Sequence, residues 1–138
     1  MGKRTVTEEE IIAFGKQFDP QPFHVDPEAA KASMFGGLVA SGWHTCSMMM
    51  RMVVDGLMSE ASSMGSPGVD NVRWIAPVRP GDTLSVSYVT TKVRPSASRP
   101  GLGMVWSHWK AINQRGELVC TVDGVGMFGR RPKEDCHA

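Results

Sequence analysis

The sequence has almost no net charge and no long apolar run, and each shortage excludes a class of protein. Fifteen Lys and Arg residues stand against 14 Asp and Glu residues, which gives 138 residues a net charge of +1. This balance offers no electrostatic attraction for nucleic acid or a membrane surface. No apolar run reaches the roughly 20 residues that a membrane-spanning helix needs, and residues 1–10 lack the apolar core of a signal peptide. We therefore expect a cytoplasmic protein that binds neither nucleic acid nor a membrane.

Cysteine is also scarce, since the chain has only Cys46, Cys120 and Cys136. Their number is odd and their spacing fits no metal site, so we expect reduced thiols in a reducing compartment. The pattern does not favour a nucleophilic role for any of the three. His, Cys, Asp and Glu nowhere cluster at the spacing of zinc or iron ligands, and we expect no metal.

Length and composition predict one globular domain over residues 1–138. The chain is long enough to bury a core but too short for two domains. Apolar residues make up 41% and charged residues 21% of the sequence, values that argue against disorder. The sequence contains no internal repeat and no linker, and we expect a polar tail from about residue 132.

The order of elements predicts an α+β fold. Thr7 and Glu10 form a capping-box pattern ahead of a short helix, and a long helix is predicted over residues 41–59. Its expected apolar face comprises Trp43, Cys46, Met50, Val53, Val54 and Leu57. Five methionines at positions 48, 49, 50, 52 and 58 make both faces apolar, so we expect the helix to be buried on most sides. Strands are predicted over 69–76, 84–93, 104–113 and 117–128, with a loop at 94–103 and a hairpin turn at 114–116. Consecutive strands after a long helix indicate an antiparallel sheet packed against it.

Residues 18–42 hold the densest group of chemically useful side chains. Asp19 and His24 lie five residues apart, and Pro20 and Pro22 between them exclude a helix interior, which predicts a stiff loop. Asp26 is placed to cap a short helix that runs to about residue 32. A carboxylate and an imidazole held by such a loop can exchange protons near neutral pH, with ordinary pKa values of about 3.9 and 6.5.

The order of these motifs resembles the MaoC-like dehydratases, which include the (R)-specific enoyl-CoA hydratases. The resemblance rests on Asp19, Gln21-Pro22, His24, Asp26-Pro27 and Ala40-Ser41-Gly42 ahead of the long helix. It is specific in the first third of the chain and general beyond it. It implies the hot-dog fold, a curved antiparallel sheet wrapped around one long helix. It also implies a homodimer or higher homo-oligomer, with CoA near the subunit boundary.

Hydration of a double bond next to a thioester needs a base, an acid and hydrogen-bond donors for the thioester oxygen. The resemblance assigns the proton transfers to Asp19 and His24 and the oxygen to the backbone N–H of Gly42, an unpaired donor at a helix start. Gln21 replaces the Asn that the family most often uses to position the water. Its extra methylene leaves the position of that water open.

Three further residues are candidates for the substrate pocket. Phe23 stands where the resemblance leads us to expect a smaller aliphatic residue, so we expect it to narrow the acyl site. Trp43 is a candidate because it lies next to Gly42. Arg73, near the start of a strand that we expect to be central, is a candidate contact for the pocket or for CoA, and a surface-facing strand position is at least as good an interpretation. For His44 on the long helix, a packed or exposed position is favoured over one that faces the site, and His108 is expected to be structural.

We therefore expect a hydro-lyase of fatty acid metabolism that reversibly hydrates a trans-2-enoyl-CoA to an (R)-3-hydroxyacyl-CoA. No cofactor is expected, because CoA is part of the acyl-CoA thioester substrate. A dehydratase of a branched or dicarboxylic acyl-CoA stays open, and a thioesterase is less favoured. A non-catalytic acyl-CoA-binding subunit also stays open; Gln21 favours it, while the retained acid-imidazole pair speaks against it.

Overall fold

Five antiparallel strands form one sheet, and a long helix packs against it. A computed structural model describes residues 2–58, 61 and 63–129 of the chain. In chain order its elements are β1 (Arg4–Thr5), α1 (Glu8–Phe18), α2 (Pro22–Val25), α3 (Pro27–Lys31), α4 (Gly42–Gly56), β2 (Gly68–Trp74), β3 (Thr83–Pro95), β4 (Leu102–Ile112) and β5 (Leu118–Gly129). The α+β class predicted from the sequence is confirmed. The prediction that the long helix runs to residue 59 is wrong, because α4 ends at Gly56 with Leu57 as its C-cap. The predicted polar tail lies outside the described residues.

The strand order across the sheet is β1-β3-β4-β5-β2. The β3–β4 and β4–β5 pairs are hairpins. Strand β2, which we predicted to be central, lies instead at one end of the sheet and, among the described residues, pairs with β5 alone. The turn between β4 and β5 is held by Asn113, whose side-chain oxygen accepts from the N–H groups of Arg115 and Glu117 at 3.0 Å. The predicted loop at 94–103 is shorter than expected, because β3 continues to Pro95 and β4 begins at Leu102.

The face that α4 turns toward the core differs from the predicted one. Trp43 is 60% exposed and Met50 is 40% exposed. The buried positions are His44, Thr45, Met48, Met49, Met52 and Val53. Methionines occur on several sides of this helix, so the spacing of apolar residues alone does not determine which face is buried. The helix was therefore predicted correctly, whereas its buried face was predicted only in part, because Val53 is buried but Trp43 and Met50 are exposed.

Helix α1 begins with the predicted capping box. The Thr7 hydroxyl accepts from the Glu10 N–H at 3.1 Å, and the Glu10 carboxylate accepts from the Thr7 N–H at 3.2 Å. At the other end the Asp19 N–H donates to the Gly15 carbonyl at 2.8 Å. The capped helix thus fixes the backbone of Asp19 directly after its last residue.

The segment after Asp19 corrects the prediction of a non-helical loop. Residues 22–25 form a single helical turn, α2, with Pro22 at its first position. Proline is tolerated there because the first helical N–H has no partner inside the helix. Gly15 lets this turn approach α1, since a methyl group at Gly15 would lie 3.0 Å from the His24 carbonyl oxygen and 2.9 Å from Val25.

Two further features complete the fold. The short strand β1, which the sequence did not predict, pairs with the start of β3 through Arg4 and Thr5. The helices in the described part of the chain are all too short or too polar to cross a membrane.

Candidate active site

Asp19 lies at the end of α1, where two side chains donate hydrogen bonds to its carboxylate. The Gln21 amide donates to Oδ1 at 2.7 Å and the Ser41 hydroxyl donates to Oδ2 at 2.8 Å. Burial alone would raise the pKa of Asp19, but these hydrogen bonds and the charge of His24 bring it below its ordinary value of 3.8. The carboxylate therefore stays ionised at neutral pH.

His24 lies on α2, and its ring is held from the opposite side. Nδ1 lies 2.7 Å from the carbonyl oxygen of Val39. A carbonyl oxygen only accepts, so Nδ1 must carry a proton and donate. The ring is further packed edge-on against Phe23, with 4.5 Å between the ring centroids. These contacts turn Nε2 toward Asp19.

Asp19 and His24 face each other at contact distance. His24 Nε2 lies 3.3 Å from Asp19 Oδ2, and the side chains are 7% and 20% exposed. Because Nδ1 already carries a proton, a neutral His24 presents a lone pair to the carboxylate and a protonated His24 presents an N–H. At this distance a proton can be shared directly between the two groups, and a water molecule in the cavity could contact both of them, which suits a pair that exchanges protons with a bound water.

The N-terminus of α4 lies next to this pair. Ser41 caps the helix by accepting from the Trp43 N–H at 3.3 Å while its hydroxyl donates to Asp19. Among the described residues the N–H of Gly42 has no hydrogen-bond acceptor. This N–H is the first of the helix and carries part of the positive end of its dipole. A donor for an oxyanion is therefore available beside the acid-imidazole pair.

A cavity of about 400 Å³ opens over these groups. Its lining includes every predicted site residue except Arg73, namely Asp19, Gln21, Phe23, His24, Gly42 and Trp43. The other wall is mostly apolar and comprises Phe35, Val39, Ala40, Thr45 and residues 74–78. Polar groups thus converge at one end of a largely apolar space, as in many small-molecule sites.

Arg73 is exposed and does not line this cavity. Its neighbour Trp74 does line it, and alternate side chains of a strand point to opposite faces of the sheet. The structure therefore puts Arg73 on the far face of β2 within the protomer. A contact between Arg73 and CoA stays a prediction.

Three groups at the site were missed by reasoning from the sequence. Ser41 had a usable signal, since a serine before a helix is a typical N-cap. The Val39 carbonyl had none, because a backbone acceptor leaves no side-chain signature. Trp74 was assigned only to a strand, yet its indole lies on Gly42, where an added methyl group would be 2.5 to 2.8 Å from three indole atoms.

The remaining described histidines lie outside the cavity lining. His44 is buried and stacks on Phe14, with 4.7 Å between ring centroids, and burial lowers its pKa. His108 pairs through Nδ1 with the Asp123 carboxylate at 2.5 Å, directly across the β4–β5 ladder. Both serve packing between elements, as the sequence led us to expect.

Comparison with known proteins identifies the class. Residues 2–101 match the family model described as a MaoC like domain. Because this match covers most of the chain, the protein belongs to the MaoC-like family. The first third of the sequence, on which the resemblance rested, lies within the matched region.

Solved structures agree with the family. A MaoC-like dehydratase from Rhodospirillum rubrum is 40% identical, with a TM-score of 0.83 over 95% of this chain and 89% of the other. An (R)-hydratase from A. caviae involved in PHA biosynthesis is 20% identical, with a TM-score of 0.69 over 91% of this chain and 89% of the other. At that identity the second likeness shows the fold alone. The predicted hot-dog fold is confirmed.

The match to a curated relative is partial. Protein MaoC from Klebsiella aerogenes is 35% identical over 85 residues, which are 61% of this chain. The chain spans only 25% of that longer protein. The activity of the full-length Klebsiella protein therefore cannot be assigned to this chain from this match.

Proposed function

We propose that this protein is a hydro-lyase that reversibly adds water to a trans-2-enoyl-CoA and forms an (R)-3-hydroxyacyl-CoA. The family supports hydration or dehydration as the reaction class, and the choice of an enoyl-CoA substrate is our inference. The reaction moves only the elements of water, so it needs no redox cofactor. CoA takes part as a portion of the substrate.

One observation carries the proposal: Asp19 Oδ2 and His24 Nε2 lie 3.3 Å apart at the wall of an apolar cavity, each fixed by a separate hydrogen bond. A purely binding protein gains nothing from two titratable groups in contact, because burying them costs solvation energy. Groups positioned this way typically contribute about 10²–10⁴-fold to a proton transfer.

The residues divide the reaction as follows. Asp19 and His24 hold the water, and the carboxylate takes a proton as the oxygen bonds to the β-carbon. The Asp19–His24 pair then supplies a proton to the α-carbon. The pair has gained one proton and lost one, so its protonation is unchanged at the end of the reaction. The Gln21 amide is bonded to Asp19 at 2.7 Å, so in this proposal it orients the carboxylate that holds the water.

Negative charge develops on the thioester oxygen as the β-carbon is attacked. The Gly42 N–H, with no acceptor among the described residues, is the donor that we assign to this oxygen. In other oxyanion sites, removal of one donor raises the barrier by about 2.7–4 kcal/mol. Glycine suits the position because Trp74 leaves no room for a side chain.

The test is to incubate the full chain with crotonyl-CoA and to separate the products by chromatography. We expect 3-hydroxybutyryl-CoA of (R) configuration and no free CoA. Free CoA would instead indicate a thioesterase. If crotonyl-CoA is unchanged, branched and dicarboxylic enoyl-CoA thioesters are tried next. Tight binding of all of them without turnover would contradict the proposal and favour the non-catalytic acyl-CoA-binding subunit.

We also infer that the protein acts as a cytoplasmic homodimer. Within the described ranges, strand β2 has a partner strand on one side only, and apolar side chains are exposed along it and beside it. Trp74 is 48% exposed, Ile75 52% and Val69 59%. A second copy that pairs at this edge would cover these groups and the open side of the cavity, consistent with CoA bound near the subunit boundary.

A further inference from the structure

The β3–β4 hairpin carries a concentration of positive charge that the proposed chemistry does not use. Residues 83–116 include five Lys or Arg residues and no Asp or Glu, although the whole chain has a net charge of only +1. Where the two strands are joined, Lys92, Arg94 and Arg99 have no carboxylate within ion-pair distance among the described residues. Positive charge that the protein leaves unpaired in this way attracts an anionic ligand.

Two of these cations border a cleft of about 380 Å³ at the loop between β3 and β4. Its lining includes Arg94, Arg99, Ser96 and Ser98, and it contains no acidic side chain. The guanidinium of Arg94 lies 5.2 Å from the centre of the Trp106 ring, a cation–π contact that fixes its position. The Arg99 N–H donates to Ser96 Oγ at 3.2 Å, which holds the loop closed. Two guanidinium groups and two hydroxyls around one cleft are typical of a phosphate site.

The cleft and the catalytic cavity lie at opposite ends of β2. Pro67, which lines the cleft, directly precedes Gly68, the first residue of the strand, and Trp74, which lines the cavity, is the last. Within one protomer they are therefore about 20 Å apart along the strand, at about 3.3 Å per residue. In a two-fold symmetric dimer that pairs its β2 edges, the strands are antiparallel, so the Gly68 end of one copy lies beside the Trp74 end of the other. The cleft of each copy would then adjoin the cavity of its partner.

We propose that Arg94 and Arg99 of one copy bind the phosphate groups of a CoA thioester whose acyl end lies in the cavity of the other copy. The inference rests on the proposed function and adds to it the residues that recognise the nucleotide end of the substrate. The pantetheine arm separates the thioester of CoA from its phosphates, so the phosphates need a site away from Asp19 and His24. Arginine suits that site because its planar N–H groups bind phosphate oxygens in pairs.

Isothermal titration calorimetry tests this contact without catalysis. The two ligands are butyryl-CoA, which has no double bond to hydrate, and S-butyryl-pantetheine, which has no nucleotide. The double variant Arg94→Gln/Arg99→Gln is expected to bind butyryl-CoA about tenfold or more weakly, the loss typical when hydrogen bonds to a charged group are removed. Its affinity for butyryl-pantetheine should equal that of the wild type.

Lys110→Gln is the matched control, because Lys110 is an exposed cation of the same hairpin that does not line the cleft. We expect this variant to bind both ligands as the wild type does. Thermal unfolding checks that the double variant is folded. Unchanged binding of butyryl-CoA by the double variant, equal weakening for both ligands, or the same loss in Lys110→Gln overturns the proposal.

A mixed dimer tests whether the contact crosses the subunit boundary. Asp19→Asn in one copy and Arg94→Gln/Arg99→Gln in the other leave one cavity that has both an intact Asp19 and the intact arginines of its partner. We therefore expect the heterodimer, isolated with two different affinity tags, to show the wild-type KM for crotonyl-CoA. The raised KM of the arginine variant would instead put both groups on the same copy and overturn the proposal. If the wild type itself does not hydrate crotonyl-CoA, the proposed function fails, and the calorimetry alone decides on the arginines.

Discussion

Three polar side chains surround the carboxylate of Asp19, and they decide its protonation. Gln21 and Ser41 donate to it and His24 faces it. A hydrogen bond to a charged group is worth about 1.5–3 kcal/mol, enough to offset the burial that would otherwise favour the neutral acid. Asp19 is therefore a carboxylate throughout the neutral range, and only strongly acidic solution protonates it.

Ser41→Ala removes one of these donors, so the pKa of Asp19 is expected to rise. Because the reaction needs the carboxylate, the acid limb of the pH profile of kcat/KM should move to higher pH. Ser41→Thr should restore it, and Ser47→Ala, which removes another serine hydroxyl on the same helix, should leave it in place. An unmoved acid limb would contradict the assignment.

That Asp19 and His24 lie close together could be predicted from the sequence because they are five residues apart in a segment with two prolines. The groups that orient them could not. The Val39 carbonyl is a backbone atom, and Trp74 comes to Gly42 from a distant strand through tertiary packing. Nothing local to either position distinguishes it from an ordinary residue of a loop or a sheet.

At the scale of elements, the site depends on how closely α1 and α2 approach. Gly15 is buried, and a methyl group there would lie 2.9 to 3.1 Å from atoms of His24 and Val25. Glycine inside a helix is less stable than alanine by roughly 0.5–1 kcal/mol. The close contact with the turn that carries His24 is the physical reason for glycine here.

Gly15→Ala should therefore affect activity more than stability. The gain in helix propensity and the strain of the contact oppose each other, so the free energy of unfolding in urea should change by less than about 1 kcal/mol. Displacement of His24 should lower kcat by about tenfold or more. Lys16→Ala, an exposed position on the same helix, is the control and should leave kcat unchanged. Full retention of kcat in Gly15→Ala would contradict this account.

The elements themselves followed from local chemistry in most cases. The capping box, the turn between β4 and β5 and the alternation in β3 each gave an element near its observed position. The buried face of α4 was predicted only in part because methionines make several sides of the helix apolar. Packing against the sheet determines which of these positions are buried. The single turn α2 was missed because proline excludes a helix interior but not a helix start.

At the scale of the whole molecule, the part of the protomer that the structure describes has an unpaired sheet edge next to its cavity. Strand β2 ends the strand order, and exposed apolar side chains lie along it and beside it. Unpaired strand edges readily pair with another chain. Pairing of two such edges would join two copies and enclose the cavity that a single copy leaves open.

Val69→Glu should shift the protein from dimer to monomer, since it brings charge into the apolar edge. Sedimentation velocity over a range of concentrations measures the change. Val93→Glu is the matched control, because Val93 is also exposed, at 66% against 59% for Val69, but lies on β3. We expect that variant to stay dimeric. A wild-type protein that is monomeric at high concentration, or a dimer lost only in Val93→Glu, would contradict pairing at β2.

The most direct test of the central claim is the rate at which crotonyl-CoA loses its enoyl-thioester absorbance with the wild type, Asp19→Asn and His24→Ala. Asp26→Asn, a cap on α3, and His108→Ala are the matched controls. We expect rapid loss with the wild type and both controls, and rates lower by about 10²–10⁴-fold with each site variant. Folded site variants that hydrate crotonyl-CoA at the wild-type rate would contradict a mechanism through the Asp19–His24 pair.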